Sequence, residues 1–134
     1  VGVGHVSLTP LGKRHPLTAG LEPRLPVMQW HHAEVTRLPD GAEVLAASPV
    51  TAVQIMSAGN CLLGTQFHAE LTPALVERWA HIPQYIAWLE AALGENAYER
   101  VRLRALPLMP EMRAMSERLF NNLLRGAGAR RAAA

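Results

Sequence analysis

The sequence predicts an α/β domain in which about five largely antiparallel strands are followed by three or four helices. Three observations lead there. Up to residue 70 the chain is a series of short apolar, β-branched runs separated by Pro, Gly, Asn and Asp, the pattern of strands joined by turns. Beyond Thr72 the prolines and glycines instead bound longer segments with apolar residues three and four apart, the period of helices. A length of 134 residues with 49% apolar and 18% charged residues suits one globular domain with a sizeable core.

The elements follow in order. Val3 to Leu8 is a β-branched strand and Thr9-Pro10-Leu11-Gly12 a turn, with Lys13 to Gly20 a loop holding one short helical turn. Gly2-x-Gly4 has no third glycine and opens no helix, so it is no phosphate loop. Pro26 to His31, Glu43 to Ala47, Thr51 to Met56 and Cys61 to Phe67 supply four more strands, with turns at Asp40-Gly41, Ser48-Pro49 and Ala58-Gly59-Asn60. The short last connection makes the final pair an antiparallel hairpin. Thr72 caps a helix with Pro73 at its first position, running to about His81. Pro83 starts a second helix to Leu93, with Gly94 as its stop, and Glu95 to Leu106 makes a third. Pro110 opens a fourth, with Met112, Met115, Leu119 and Leu123 on one stripe that packs on the sheet or in part faces a partner, and Gly126 after it. Trp79, Tyr85 and Trp88 read as core aromatics at helical spacing.

Charge and composition exclude several functions. A net charge of +2 with scattered basic residues gives no nucleic-acid footprint; Arg125, Arg130 and Arg131 form the single basic cluster, in a Gly/Ala tail expected to fray. No run approaches the ~18 apolar residues of a membrane span. One cysteine rules out an internal disulfide, and the cytoplasm is the expected compartment. With no initiator Met and a strand from its first residues, the chain is expected to be part of something longer.

The chemistry concentrates in Gly64-Thr65-Gln66-Phe67-His68-Ala69-Glu70. Residues two apart in an extended segment share a side, so Glu70 is expected to reach one ring nitrogen of His68 and leave the other free to exchange a proton. That is the base-plus-orienter half of a catalytic triad. His31 and His32 are the other notable imidazoles, followed by Glu34. Adjacent extended residues point to opposite sides, and no zinc-motif spacing is present, so neither a metal nor a cofactor is expected.

Gly-x-Gln-Phe-His-x-Glu closely resembles the Gly-x-Gln-Phe-His-Pro-Glu signature of class I glutamine amidotransferases, with Ala69 where the family usually has proline. The segment Trp30 to Pro39 resembles the family's histidine-containing turn and Val-x-x-Leu-Pro stretch; Ala33 stands where guanosine monophosphate synthetase-like members often carry an acidic residue. The resemblance covers roughly residues 1 to 93. It implies the C-terminal part of a three-layer, flavodoxin-like amidotransferase domain, with residues 94–126 as helices packed on the same domain and 127–134 as the frayed tail. It also implies a Cys-His-Glu triad that releases ammonia from L-glutamine, with His68 and Glu70 catalytic and His31, His32 and Gln66 at the substrate. A synthase domain or subunit receiving the ammonia is the implied partner.

The nucleophile is missing from this picture. Cys61 lies seven residues before His68 on what reads as one strand. Extended, that is ~23 Å at ~3.3 Å per residue, with the side chains on opposite faces. Cys61 is therefore expected in the core, and no Gly-x-Cys-x-Gly or Gly-x-Ser-x-Gly elbow occurs. The chain alone is expected to be inactive. Open alternatives are an amidotransferase-like regulatory or partner-binding module, a γ-glutamyl hydrolase with the same triad, and a metal-dependent hydrolase using His31, His32 and His68.

Overall fold

A computed structural model describes residues 1–132, with side chains to residue 128. Five strands, β1 (Gly2–Leu8), β2 (Arg24–Gln29), β3 (Ala42–Ala47), β4 (Ile55–Ala58) and β5 (Leu62–Thr65), form one sheet in the order β2-β1-β3-β4-β5. All neighbours are antiparallel, including the expected β4–β5 hairpin. Four helices follow: α1 (Pro73–Trp79), α2 (Pro83–Leu93), α3 (Ala97–Ala105) and α4 (Met109–Ala132). This is the α/β arrangement that the sequence predicts.

The side-chain alternation of the strands divides the interior in two. Val6, Leu8, Leu25 and Val27 pack with Leu45, Ile55 and Phe67 in one core, joined by Met115 and Leu119 of α4. Met28, one residue from Val27 and so on the opposite face, packs with Val76, Trp79, Leu89, Val101 and Met112 in the other. The methionine–leucine stripe of α4 thus serves both cores.

Local chemistry shortens some expected strands. Thr51 to Gln54 is not paired as strand. Ser48 accepts from the Thr51 N–H through Oγ (3.1 Å) and donates its own N–H to Thr51 O (2.9 Å), a closed turn around Pro49. β4 therefore begins only at Ile55. β2 stops at Gln29 rather than His31, and β5 at Thr65 rather than Phe67. Cys61 sits half-buried beside the β4–β5 turn, not in the core, because the hairpin reverses at Gly59 in the left-handed region (φ 59°).

The helix starts are local. Thr72 Oγ1 accepts from Leu75 N–H (3.1 Å) with Pro73 in the first turn, and Gly94 ends α2 at φ 84°. Gly126 does not stop α4. The helix runs through it to Ala132, so 127–132, expected to fray, continues helical along an alanine-rich segment of high propensity; residues 133–134 lie outside the described residues. A Cβ on Gly126 would stand 1.8 Å from Asn60 O. This glycine lets α4 press against the β4–β5 turn.

Among the described residues no helix is long and apolar enough to cross a membrane.

Candidate active site

The seven residues after β5 are held by alternating anchors. Phe67 and Leu71 are buried, and between them His68 and Glu70 face outward. Gln66 donates its N–H to Gln54 O (3.1 Å), and its Oε1 accepts from Val35 N–H (2.8 Å), clasping the 31–38 loop to the sheet. His68 N–H donates to Met28 O in β2 (3.0 Å), so the chain leaving β5 returns to the strand at the opposite end of the sheet order. Ser116 of α4 donates its hydroxyl to Ala69 O in the middle of the turn.

On this frame the two side chains meet. His68 Nδ1 and Glu70 Oε1 are 2.6 Å apart. The residues form a turn rather than the strand tip expected, and the bond arises from the turn's anchors instead of the pleat. Nδ1–H donates to the carboxylate, so the neutral imidazole presents an unprotonated Nε2, which has no protein partner among the described residues. The imidazole is 29% exposed and the carboxylate 63%. Burial, the largest influence, pushes the Glu70 carboxyl up. The His68 hydrogen bond, a backbone N–H and the attraction of His68 together outweigh it and hold the group below its ordinary range. A group lowered in the folded state contributes stability above its ordinary value of 4.5, lost as pH falls through the lower folded value. Glu70→Gln is accordingly expected to lower stability slightly at neutral pH and leave it nearly unchanged below the folded value, which removes this group's part of the acid limb of the pH–stability curve. Denaturation midpoints followed from pH 7 downward check this.

One aromatic ring meets the imidazole, and others back it. Trp79 lies edge-to-face with His68 at 5.0 Å, backed by Trp30 at 4.7 Å from Trp79, and Tyr85 stacks on Trp88 at 5.8 Å. Trp79 is buried as expected, but Trp88 is half exposed, its ring edging His32 at 5.9 Å.

The other expected site residues fall elsewhere. His31 is engaged at both nitrogens: Nδ1–H donates to Ala33 O (2.7 Å), and Nε2 faces the Gln29 amide (2.7 Å). His31 and His32 line an open cleft of about 530 Å³ with His5, Gln29, Glu34 and Gln54. Neither His68 nor Glu70 is among its walls; Glu70 instead borders a second hollow of about 430 Å³ between β5 and α4. The Nε2 of Gln66 is buried without a partner. Among the described residues no group of three or more His, Cys, Asp or Glu is placed to hold a metal ion.

Sequence reasoning missed Ser116 and the contact of Trp79 with His68. No signal in the chain marks a hydroxyl that acts across 47 residues. Ser116→Ala leaves the half-buried Ala69 carbonyl without its donor and is expected to cost about 1 kcal/mol, measured by chemical denaturation.

The antiparallel sheet, the helices after it and the His–Glu turn between them define an amidotransferase-type domain. A family model described as "Glutamine amidotransferase class-I" matches residues 4–78, more than half of the chain, and the chain belongs to that family. It is 42% identical over 77 residues to the "glutamine amidotransferase-like protein YfeJ" of Salmonella typhimurium, an overlap of 56% of this chain and 32% of the relative. It is 38% identical over 69 residues to the "gamma-glutamyl-L-1-hydroxyisopropylamide hydrolase" of a Pseudomonas species, covering 50% of this chain and 23% of that one. A glutamine amidotransferase structure from Thermotoga maritima shares the fold, with a TM-score of 0.75 at 22% identity over 92% of this chain and 50% of its own. The chain thus spans a third or less of these curated relatives and about half of that structure.

Proposed function

We propose that this chain supplies the general base and its orienting acid to a glutamine-hydrolysing enzyme whose cysteine lies outside these residues. The observation that carries the reading is the 2.6 Å bond between His68 Nδ1 and Glu70 Oε1, which leaves Nε2 to face a reactant. In this mechanism His68 Nε2 takes the proton of the thiol, and the thiolate attacks the side-chain carbonyl carbon of glutamine. The tetrahedral oxyanion collapses as His68⁺ gives its proton to the departing nitrogen, breaking the C–N bond and releasing ammonia. His68 then deprotonates the water that attacks the thioester, and returns the proton to the leaving sulfur as glutamate departs. Glu70 holds the tautomer and stabilises the imidazolium. His31 and His32 belong to the substrate side in this reading, while Gln66 acts as a clasp. A synthase domain or subunit consumes the ammonia.

A second reading keeps the same acyl chemistry and changes the leaving nitrogen. It is supported by the 38% identity to a hydrolase named for a γ-glutamyl amide of a hydroxylated alkylamine. Incubating the intact protein with glutamine and, separately, with a γ-glutamyl alkylamide tests both. Glutamate from glutamine is the expected result. Glutamate from the alkylamide alone selects the second reading, and none from either substrate overturns both.

A further inference from the structure

We propose that Trp79 is a positioning residue for His68, fixing the rotation of the imidazole while Glu70 fixes its tautomer; this rests on the reading of His68 as general base.

One hydrogen bond does not decide where Nε2 points. Glu70 is 63% exposed, so water competes for its oxygens and the carboxylate can follow a turning imidazole. Ala69 between the two residues imposes no ring constraint on the backbone. The acid therefore selects which nitrogen carries the proton, and leaves the ring free to swing about its Cβ–Cγ bond.

Trp79 has the opposite character. It is 7% exposed, and its ring meets the imidazole at 5.0 Å with an interplanar angle of 65°, within the edge-to-face range favoured between aromatic rings. Its own freedom is removed from several sides. Trp30 lies 4.7 Å away and Tyr85 6.4 Å. Helix α1, which carries it, is fixed at its start by the Thr72 cap and in its middle by Tyr98, whose hydroxyl donates to Val76 O (3.1 Å). The imidazole thus stands between a yielding acid and an unyielding wall. Rotation that would turn Nε2 from the reacting atoms drives the ring out of its contact with the indole.

The inference predicts a defect in turnover rather than in substrate affinity, because a misaligned base loses transition-state geometry without losing contacts to bound glutamine. In the intact protein, Trp79→Leu is expected to lower kcat by ~10- to 100-fold with KM changed less than ~2-fold. Trp79→Phe, which keeps an aromatic face, is expected to stay within ~3-fold of wild type. Val76→Ala, a second core change on α1, controls for loss of folded protein and is expected to keep kcat per folded molecule. Proton NMR supplies a readout independent of activity: the His68 ring C–H resonances, displaced by the indole ring current in wild type, return toward unperturbed positions in Trp79→Leu, while the Nδ1–H tautomer persists. Wild-type kcat in Trp79→Leu, or a loss no larger than its unfolded fraction explains, overturns the proposal. His68 resonances that are undisplaced in wild type overturn the contact itself. Absence of wild-type glutamine hydrolysis overturns the general-base reading instead, and the ring-current shifts keep the two failures apart.

Discussion

Replacing His68 with alanine is expected to abolish glutamate formation by the intact enzyme, with kcat/KM for glutamine reduced by at least ~10³-fold. General acid–base transfer alone accounts for roughly 10² to 10⁴ in rate, and the proposed mechanism uses His68 in both acyl steps. Without Nε2 the thiol keeps its proton, and a residual thiolate has no acid to protonate the departing nitrogen. The structural cost is small by comparison, since the imidazole is partly exposed and the turn is anchored by Phe67, Leu71 and the His68 backbone, which alanine retains. Steady-state glutaminase kinetics and a thermal melt on the same sample separate the two effects. A His68→Ala variant that turns glutamine over at the wild-type rate would remove the basis for the proposed mechanism. Glu70→Gln is expected to lose less, because the amide oxygen still accepts from Nδ1–H and only the charge that stabilises the imidazolium is gone.

Gly126→Ala is expected to destabilise the fold by about 1–3 kcal/mol, against the ordinary expectation for a helix. Alanine gains about 1 kcal/mol over glycine in a helix interior. Here its Cβ would stand 1.8 Å from Asn60 O and 2.9 Å from Asn60 C. Those are backbone atoms that no rotamer change can move aside, so the clash exceeds the propensity gain. Relief requires α4 to back away from the β4–β5 turn, and α4 also carries Ser116, whose hydroxyl fixes Ala69. The substitution is therefore expected to loosen the His68–Glu70 turn from a distance. Denaturation measures the first effect, and line-broadening of the His68 ring protons the second.

How much of this was legible in the chain depended on how far apart the interacting groups lie. The His–Glu pair was readable because its two members are separated by a single residue, and either strand or turn brings them within reach. Thr72-Pro73 announced α1 for a similar reason, since a cap is a contact within one turn. The boundaries of β4 and β5 differ from the apolar runs where side chains close local turns, as Ser48 does around Pro49. Gly126 reads as a helix stop because one residue type serves two purposes. A glycine that ends a helix and one that admits a neighbouring backbone look alike until the neighbour is known. Trp79 and Ser116 were opaque in another way. Their apolar and small-polar character fits any core or helix, and only the folded arrangement sets one against the imidazole and the other against the turn.

The bond from His68 N–H to Met28 O carries a consequence for how the molecule matures. It joins residues 40 apart, across strands at opposite ends of the order β2-β1-β3-β4-β5. Such distant pairings are slow to form because chain closure must come before they stabilise anything. The imidazole thus acquires its fixed place only as the sheet completes its circuit. A nascent or partly unravelled chain holds no aligned imidazole, so the His68–Glu70 geometry arrives together with the finished architecture.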